Sequence, residues 1–204
     1  MIDVKSVCLG ELENNCYLLT DKESGKSALI DCTDASEKML SFLENADLEY
    51  ILLTHGHYDH IGGVREIKER FCAKVVISQA DAGMLTSSKL SLAAFCGGIH
   101  HDASADILVS DGDIITLGNT KIRVMATPGH TKGGVCYIAD DVIFTGDTLF
   151  CCSCGRTDFP GGSFIEIKDS LHRLAALDKN YTLYPGHEAF STLDFEKKNN
   201  PYMN

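Results

Sequence analysis

Short apolar runs dominate this chain and predict strands. They occupy residues 3–9, 15–20, 26–31, 50–53, 74–78, 113–117, 121–126, 134–139, 142–145 and 181–184. Three stretches carry a helical period instead. Residues 35–46 put Met39, Leu40 and Leu43 on one face, and residues 62–71 (GGVREIKERF) space Val64, Ile67 and Phe71 by three and four. Residues 163–178 open with SFIE, a capping box in which Ser163 and Glu166 satisfy the first free amides. Their expected buried stripe is Phe164, Ile167, Leu171 and Leu174. Residues 87–105 (SSKLSLAAFCGGIHHDASA) lack a clear period and predict a long loop hinged at Gly97 and Gly98, a candidate pocket wall or lid. This order of elements predicts a layered α/β protein, with one domain over 1–204 because no linker or repeat divides it.

Composition narrows the function classes. The chain has 204 residues, 44% of them hydrophobic and 23% charged, which is a globular profile. A net charge of −11 repels phosphate backbones and anionic surfaces, so neither a nucleic-acid nor a membrane partner is expected. The N-terminus MIDVKSVCLG has no signal-peptide core, and no run approaches the roughly 18 apolar residues of a membrane span. A cytoplasmic location is the expectation. Nine cysteines then read as reduced thiols, several of them core-filling, such as Cys16, Cys32 and Cys136 in apolar runs.

Chemistry concentrates where apolar runs stop. ILLTHGHYDH (51–60), RVMATPGH (123–130), VIFTGD (142–147) and YTLYPGH (181–187) each pass from a strand through a turn to a metal-capable side chain. Five of the eight histidines fall in these four places. His55 and His57 are two apart, so an extended backbone turns both rings to one side. His55, His57 and His130 form one set of three; Asp59, His60 and His187 form a second; Asp147 has two oxygens with which to bridge them. Such donors suit two divalent ions, zinc first, with iron or manganese as alternatives. Two ions about 3.5–4 Å apart would clamp a bridging hydroxide.

Those residues, in the order THGHYDHIGG, TPGHTKGG, FTGDTLF and YPGH, resemble the metallo-β-lactamase-fold hydrolases over nearly the whole chain. The resemblance implies a four-layer αββα sandwich with metals in a cleft at one edge of its two sheets. GDTLFCCSCGRTDFPGG (146–162), NNCYLL (14–19) and NPYM (200–203) are similar to the single-domain relatives of glyoxalase II, thioesterases acting on S-acyl glutathione or related thioesters. The chain ends soon after His187, so the helical domain with which glyoxalase II contacts glutathione is expected to be absent. An aspartate at 147, where the commonest β-lactamases of the fold use cysteine at the second metal, points away from antibiotic hydrolysis.

The mechanism so implied places a small-molecule thioester carbonyl over the first metal. Asp59 orients the nucleophile, and Thr54, Thr131 and Thr148 are candidates to hold the imidazoles. Arg156 is a candidate substrate contact, with a structural pair to Asp158 as its alternative. His100, His101 and His172 read as surface residues, and Cys151 and Cys154 form an isolated CxxC. Two rival functions stand beside the hydrolase. CGRTDF (154–159) also resembles the mononuclear iron persulfide dioxygenases, which would use His55, His130 and Asp147. The CCSC thiols could alternatively serve a non-enzymatic metal and thiol redox sensor.

Overall fold

The computed structural model describes residues 1–203. Six strands form a first sheet in sequence order: β1 (Ile2–Leu9), β2 (Asn14–Asp21), β3 (Lys26–Ile30), β4 (Asp47–Leu52), β5 (Lys74–Ser78) and β6 (Ile107–Val109). It is antiparallel as far as β3 and parallel from β3 onward. The second sheet contains β7 (Ile114–Leu117), β8 (Thr120–Ala126), β9 (Val135–Ala139), β10 (Val142–Gly146), β13 (Thr182–Pro185) and β14 (Ser191–Thr192), in the order β14-β13-β10-β9-β8-β7. Only β10 and β13 pair in parallel there. A small hairpin, β11 (Leu149–Phe150) with β12 (Ser153–Cys154), stands apart.

Parallel neighbours need a crossover, and the helices supply it. In the first sheet, α1 (Glu37–Leu43) links β3 to β4, and α2 (Tyr58–Ile61) with α3 (Val64–Phe71) links β4 to β5. A 3₁₀ turn at Ala82–Thr86 and α4 (Ala93–Cys96) lead to β6; α5 (Phe164–Ala175) lies between β10 and β13, and α6 (Leu193–Asn199) closes the fold.

Side-chain alternation then builds three cores. Tyr17, Leu19, Ala28, Ile30, Leu52 and Val76 from the first sheet meet Ile122, Val124, Tyr137 and Phe144 from the second. The intervening residues Cys16, Leu29, Ile51, Val75 and Ile77 turn outward onto Met39 and Leu43 of α1 and Val64 and Ile67 of α3. On the other side, Cys136, Ile138 and Ile143 meet Ile167, Leu171 and Leu174 of α5. The layers are therefore helix, sheet, sheet, helix. Central strands are buried on both faces, which is why their sequences read as continuous apolar runs. Each buried aliphatic side chain is worth about 1.5–3 kcal/mol. A one-residue slip would exchange the contents of two differently shaped cores, so register is firmly set.

Several expectations need correction. Phe164 is 54% exposed, because it opens α5 ahead of the turn on which Ile167, Leu171 and Leu174 become buried. Of the expected capping box, the Ser163 hydroxyl does accept the Glu166 N–H, at 3.3 Å. The 87–105 stretch is not structureless: α4 forms within it, preceded by Leu92, which is buried with φ at 69°. The elements β6, β11, β12 and β14 are two or three residues long, too short for a period to show. Helix α6 buries a carboxylate, Glu196, beside Leu193, so it carries no apolar stripe.

Gly62 and Gly63 join α2 to α3 by close approach to the loop after β3. A Cβ at Gly62 would lie 2.5 Å from the Thr33 carbonyl oxygen, and one at Gly63 only 2.2 Å from that of Asp34. Backbone cannot yield as a flexible side chain can. The Gly63→Ala variant is expected to lose about 1–3 kcal/mol of stability, read as a lowered urea midpoint at unchanged slope.

Candidate metal centre

Four strand ends meet at one edge of the sandwich. His55 and His57 follow β4, with Asp59 and His60 in α2 directly behind them; His130 follows β8, Asp147 follows β10 and His187 follows β13. The ligand atoms of His55, His57 and His130 all lie within 4.8 Å of one another, as do those of Asp59, His60 and His187. Asp147 stands between the two groups, Oδ2 at 3.4 Å from His130 Nε2 and Oδ1 at 3.4 Å from His60 Nε2. All seven side chains expected to converge are thus brought together.

The imidazoles are aimed from behind. His60 Nδ1 donates to Asp31 Oδ2 at 2.9 Å, His130 Nδ1 to the Arg156 carbonyl at 2.8 Å, and His187 Nδ1 to the Leu12 carbonyl at 2.9 Å. Each bond fixes the tautomer and leaves Nε2 facing the centre. His57 enters through Nδ1, 2.8 Å from His130 Nε2. Asp31 also accepts the Thr54 N–H and hydroxyl, both at 2.8 Å, and the Thr54 oxygen lies 3.1 Å from His55 Nδ1. Asp81 ties two ligand loops together by accepting Gly56 N–H, Thr131 O–H and Gly133 N–H. Burial pushes its carboxyl up.

Of the three threonines expected behind the rings, only Thr54 is there. Thr131 serves Asp81, and Thr148 pairs with Thr127. Sequence reasoning missed Asp31, Asp81 and Asn14. For Asp31 a signal existed, since ALID is one more apolar run ending in a carboxylate.

Electrostatics divide the site. Burial, reinforced by the neighbouring imidazoles, holds His55 far below its usual range and His57 down at about 3, so both present lone pairs. At His60 burial works in the same direction, yet Asp59, Asp147 and Asp31 outweigh it and push the ring up to about 10. Asp59 is held well below the usual carboxylate range: burial opposes this, but His60, His187 and Asn14 prevail. Carboxylates here favour positive charge, which a bound divalent ion would supply while leaving His60 Nε2 its lone pair.

Two buried atoms settle whether a cation fits. His55 Nε2 and Asp147 Oδ1 make no hydrogen bond. Leaving a buried acceptor unmet costs about 1–3 kcal/mol. Orphaned nitrogen and carboxylate acceptors inside converging His/His/His and Asp/His/His sets are what divalent ions take up.

A cleft of about 630 Å³ opens over the centre, with Leu92, Phe150, Phe159 and Arg156 on its walls. Arg156 is committed to a two-pronged pair with Asp158, at 2.7 Å on each prong, and its guanidinium lies 4.0 Å over the Phe159 ring. Cys154 lines the cleft, whereas the thiol beside Cys151 is that of Cys152, near Glu196, so the CxxC is not a pair. None of the nine cysteines is disulfide-bonded. Among the described residues no helix is long and apolar enough to cross a membrane.

His101 and His172 are exposed, as expected, but the His100 side chain is only 7% exposed, held between Ser91 Oγ at 3.1 Å and Asp102 at 3.3 Å. It takes no part in the converging sets. His100→Ala should therefore loosen the 91–102 loop and leave metal content by elemental analysis unchanged; loss of an ion would place it among the ligands.

A family profile described as the metallo-β-lactamase superfamily matches residues 9–187. Hydroxyacylglutathione hydrolase GloC of Haemophilus influenzae is 30% identical over 210 residues, covering 100% of this chain and 99% of the relative. Among solved structures, BLEG-1 B3 metallo-β-lactamase superposes at a TM-score of 0.93 with 30% identity, covering 99% of this chain and 100% of the other. TTHA1623 in a di-iron-bound form superposes at 0.87 with 31% identity, covering 97% and 99%.

Proposed function

The chain belongs to the metallo-β-lactamase superfamily, and from that premise we propose that it is a binuclear metal-dependent thioesterase of the glyoxalase II type. The observation that carries the reading is Asp147, whose two oxygens face His130 of one donor set and His60 of the other. That arrangement suits two ions better than one. His55, His57 and His130 would hold the first, Asp59, His60 and His187 the second, with Asp147 shared. Bound divalent ions supply Lewis acidity and lower the pKa of water from 15.7 to about 7. The full-length relative named as a hydroxyacylglutathione hydrolase supports thioester chemistry; a di-iron neighbour keeps iron beside zinc as the native metal.

The protein's own share is positioning. Asp31 and the Arg156 and Leu12 carbonyls hold three rings so that their Nε2 lone pairs stay inward. Asn14 donates at 2.8 Å to Asp59 Oδ2, the oxygen that faces His60 and His187, and so holds the carboxylate at the centre, where it would orient the attacking water. Leu92, Phe150 and Phe159 keep the cleft partly dry, which strengthens every charge interaction within it. A thiolate leaves readily, its conjugate acid having a pKa of about 8.5, so no dedicated proton donor is required.

The test is metal analysis of the purified protein with assays of a chromogenic thioester, with and without oxygen, and of a chromogenic β-lactam. Two ions per chain with oxygen-independent thioester cleavage support the proposal. A single iron with oxygen uptake on a persulfide would replace it with the dioxygenase. Faster β-lactam cleavage would replace it with the activity for which BLEG-1 is named. Thiol oxidation without turnover would leave the sensor.

A further inference from the structure

The turn between β11 and β12 sets two adjacent thiols against a buried carboxylate. Successive side chains of a strand point to opposite faces, but Cys152 has φ at 55°, a left-handed conformation that ends the alternation. Cys151 Sγ, Cys152 Sγ and a carboxylate oxygen of Glu196 consequently all lie within 4.8 Å of one another. Cys152 is exposed and Cys151 half-buried, so an ion can reach them from solvent, whereas Glu196 is 0% exposed.

The carboxylate is firmly held. Its Oε2 accepts the Cys152 N–H at 2.8 Å and Asn200 Nδ2 at 2.9 Å. Its Oε1 accepts the Ser191 hydroxyl, which also hydrogen-bonds the Cys151 thiol. Asn200 Nδ2 reaches the Ser153 carbonyl as well, at 2.9 Å, so the hairpin is pinned to α6. A carboxylate offers about four lone-pair sites, and these donors leave one on Oε1. Buried charges are paired or coordinate metals. Among the described residues no lysine or arginine is paired with Glu196.

We propose that Cys151, Cys152 and Glu196 form a separate site for one thiophilic cation of the zinc class. Two thiolates and a carboxylate are zinc donors, and three protein ligands leave the fourth corner of its tetrahedron to water. Each thiol gives up its proton as its sulfur binds, so two protons pass to solvent per ion. The site shares no ligand with the His/Asp sets, and neither thiol lines the cleft above them. It is independent of the reaction assigned to that cleft.

The experiment titrates protein already carrying two zinc ions with Cd(II), whose thiolate complexes absorb in the ultraviolet by sulfur-to-metal charge transfer. Exchange of Cd(II) into the His/Asp centre is silent in that band, because no sulfur ligates there. About one equivalent should saturate the band. Cys152→Ser should halve the absorbance per bound ion and weaken binding about tenfold or more, since a serine oxygen is a poor ligand for a soft cation. Cys151→Ser/Cys152→Ser should abolish the band, and Cys8→Ser/Cys72→Ser, which removes two exposed thiols outside the turn, should leave it unchanged. Glu196→Gln should weaken binding about threefold or more while keeping the two-sulfur absorbance. No band in the parent protein overturns the proposal. So does a band that survives the Cys151→Ser/Cys152→Ser change, or one that falls equally in Cys8→Ser/Cys72→Ser, because the cadmium would then sit on other thiols. Unchanged affinity in Glu196→Gln overturns the three-ligand site.

Discussion

Asp147→Ala is expected to reduce metal content from two ions per chain to one or none and to lower thioesterase kcat/KM at least about a thousandfold, a loss of roughly 4 kcal/mol in transition-state stabilisation. The reason is the carboxylate's double reach. Its two oxygens lie 3.4 Å from rings that belong to different donor sets, so one substitution removes a ligand from both sites together. The carboxylate is closely framed: Gly186 stands so near that a Cβ there would sit 2.3 Å from Asp147 Oδ1. A Gly155 side chain is equally excluded, 1.8 Å from the Asp147 carbonyl oxygen. These two glycines hold open the space that Asp147 fills. The fold should survive, since Asp147 belongs to no core cluster, and far-ultraviolet circular dichroism checks that. Full occupancy of both ions in the Ala variant would remove the shared-ligand assignment and with it the argument for two metals.

The converging histidines and aspartates were legible in the sequence because each of their four segments obeys a local rule: an apolar run, then a turn, then metal-capable side chains. Local rules gave a layered α/β protein and no more; the helix-sheet-sheet-helix order came with the family resemblance, because central runs buried on both faces read as continuous apolar stretches that do not say what covers them. What escaped was whatever depends on distant backbone. His130 is oriented by the carbonyl of Arg156, and His187 by the carbonyl of Leu12, 175 positions away; a carbonyl has no residue type to recognise. The same holds for Arg156, whose side chain suggested a substrate contact while its main chain positions a ring. His100 read as a surface residue because its loop has no period, yet its side chain is only 7% exposed and Nδ1 is hydrogen-bonded to Ser91. Phe164 failed for the opposite reason: the period was real, but it began one turn later than the apolar residues did.

Asp31→Asn is expected to separate the two ions. Asp31 is 1% exposed and accepts three hydrogen bonds: Thr54 N–H on Oδ1, Thr54 O–H and His60 Nδ1–H on Oδ2. Asparagine is the informative replacement because Asp31 has φ at 57°, a left-handed conformation that asparagine tolerates and alanine does not. The amide keeps the shape but turns one acceptor into a donor. Whichever way it flips, a buried N–H of Thr54 or His60 loses its partner, at about 1–3 kcal/mol of stability. His60 also loses the carboxylate that makes its Nε2 a strong donor to a cation. Losing such a partner behind a ligating histidine lowers metal affinity about 10- to 100-fold. His57 and His130 make no hydrogen bond with Asp31, and His55 is reached from it only through Thr54, which can keep its place with an amide acceptor, so the set they form should keep its ion. Chelator titration of the variant should show one ion leaving at a chelator level at least tenfold lower than in the parent protein, while the other departs where it did before. Simultaneous loss of both ions would mean that the two sets do not act as separate sites, and that His60 supports the whole cluster.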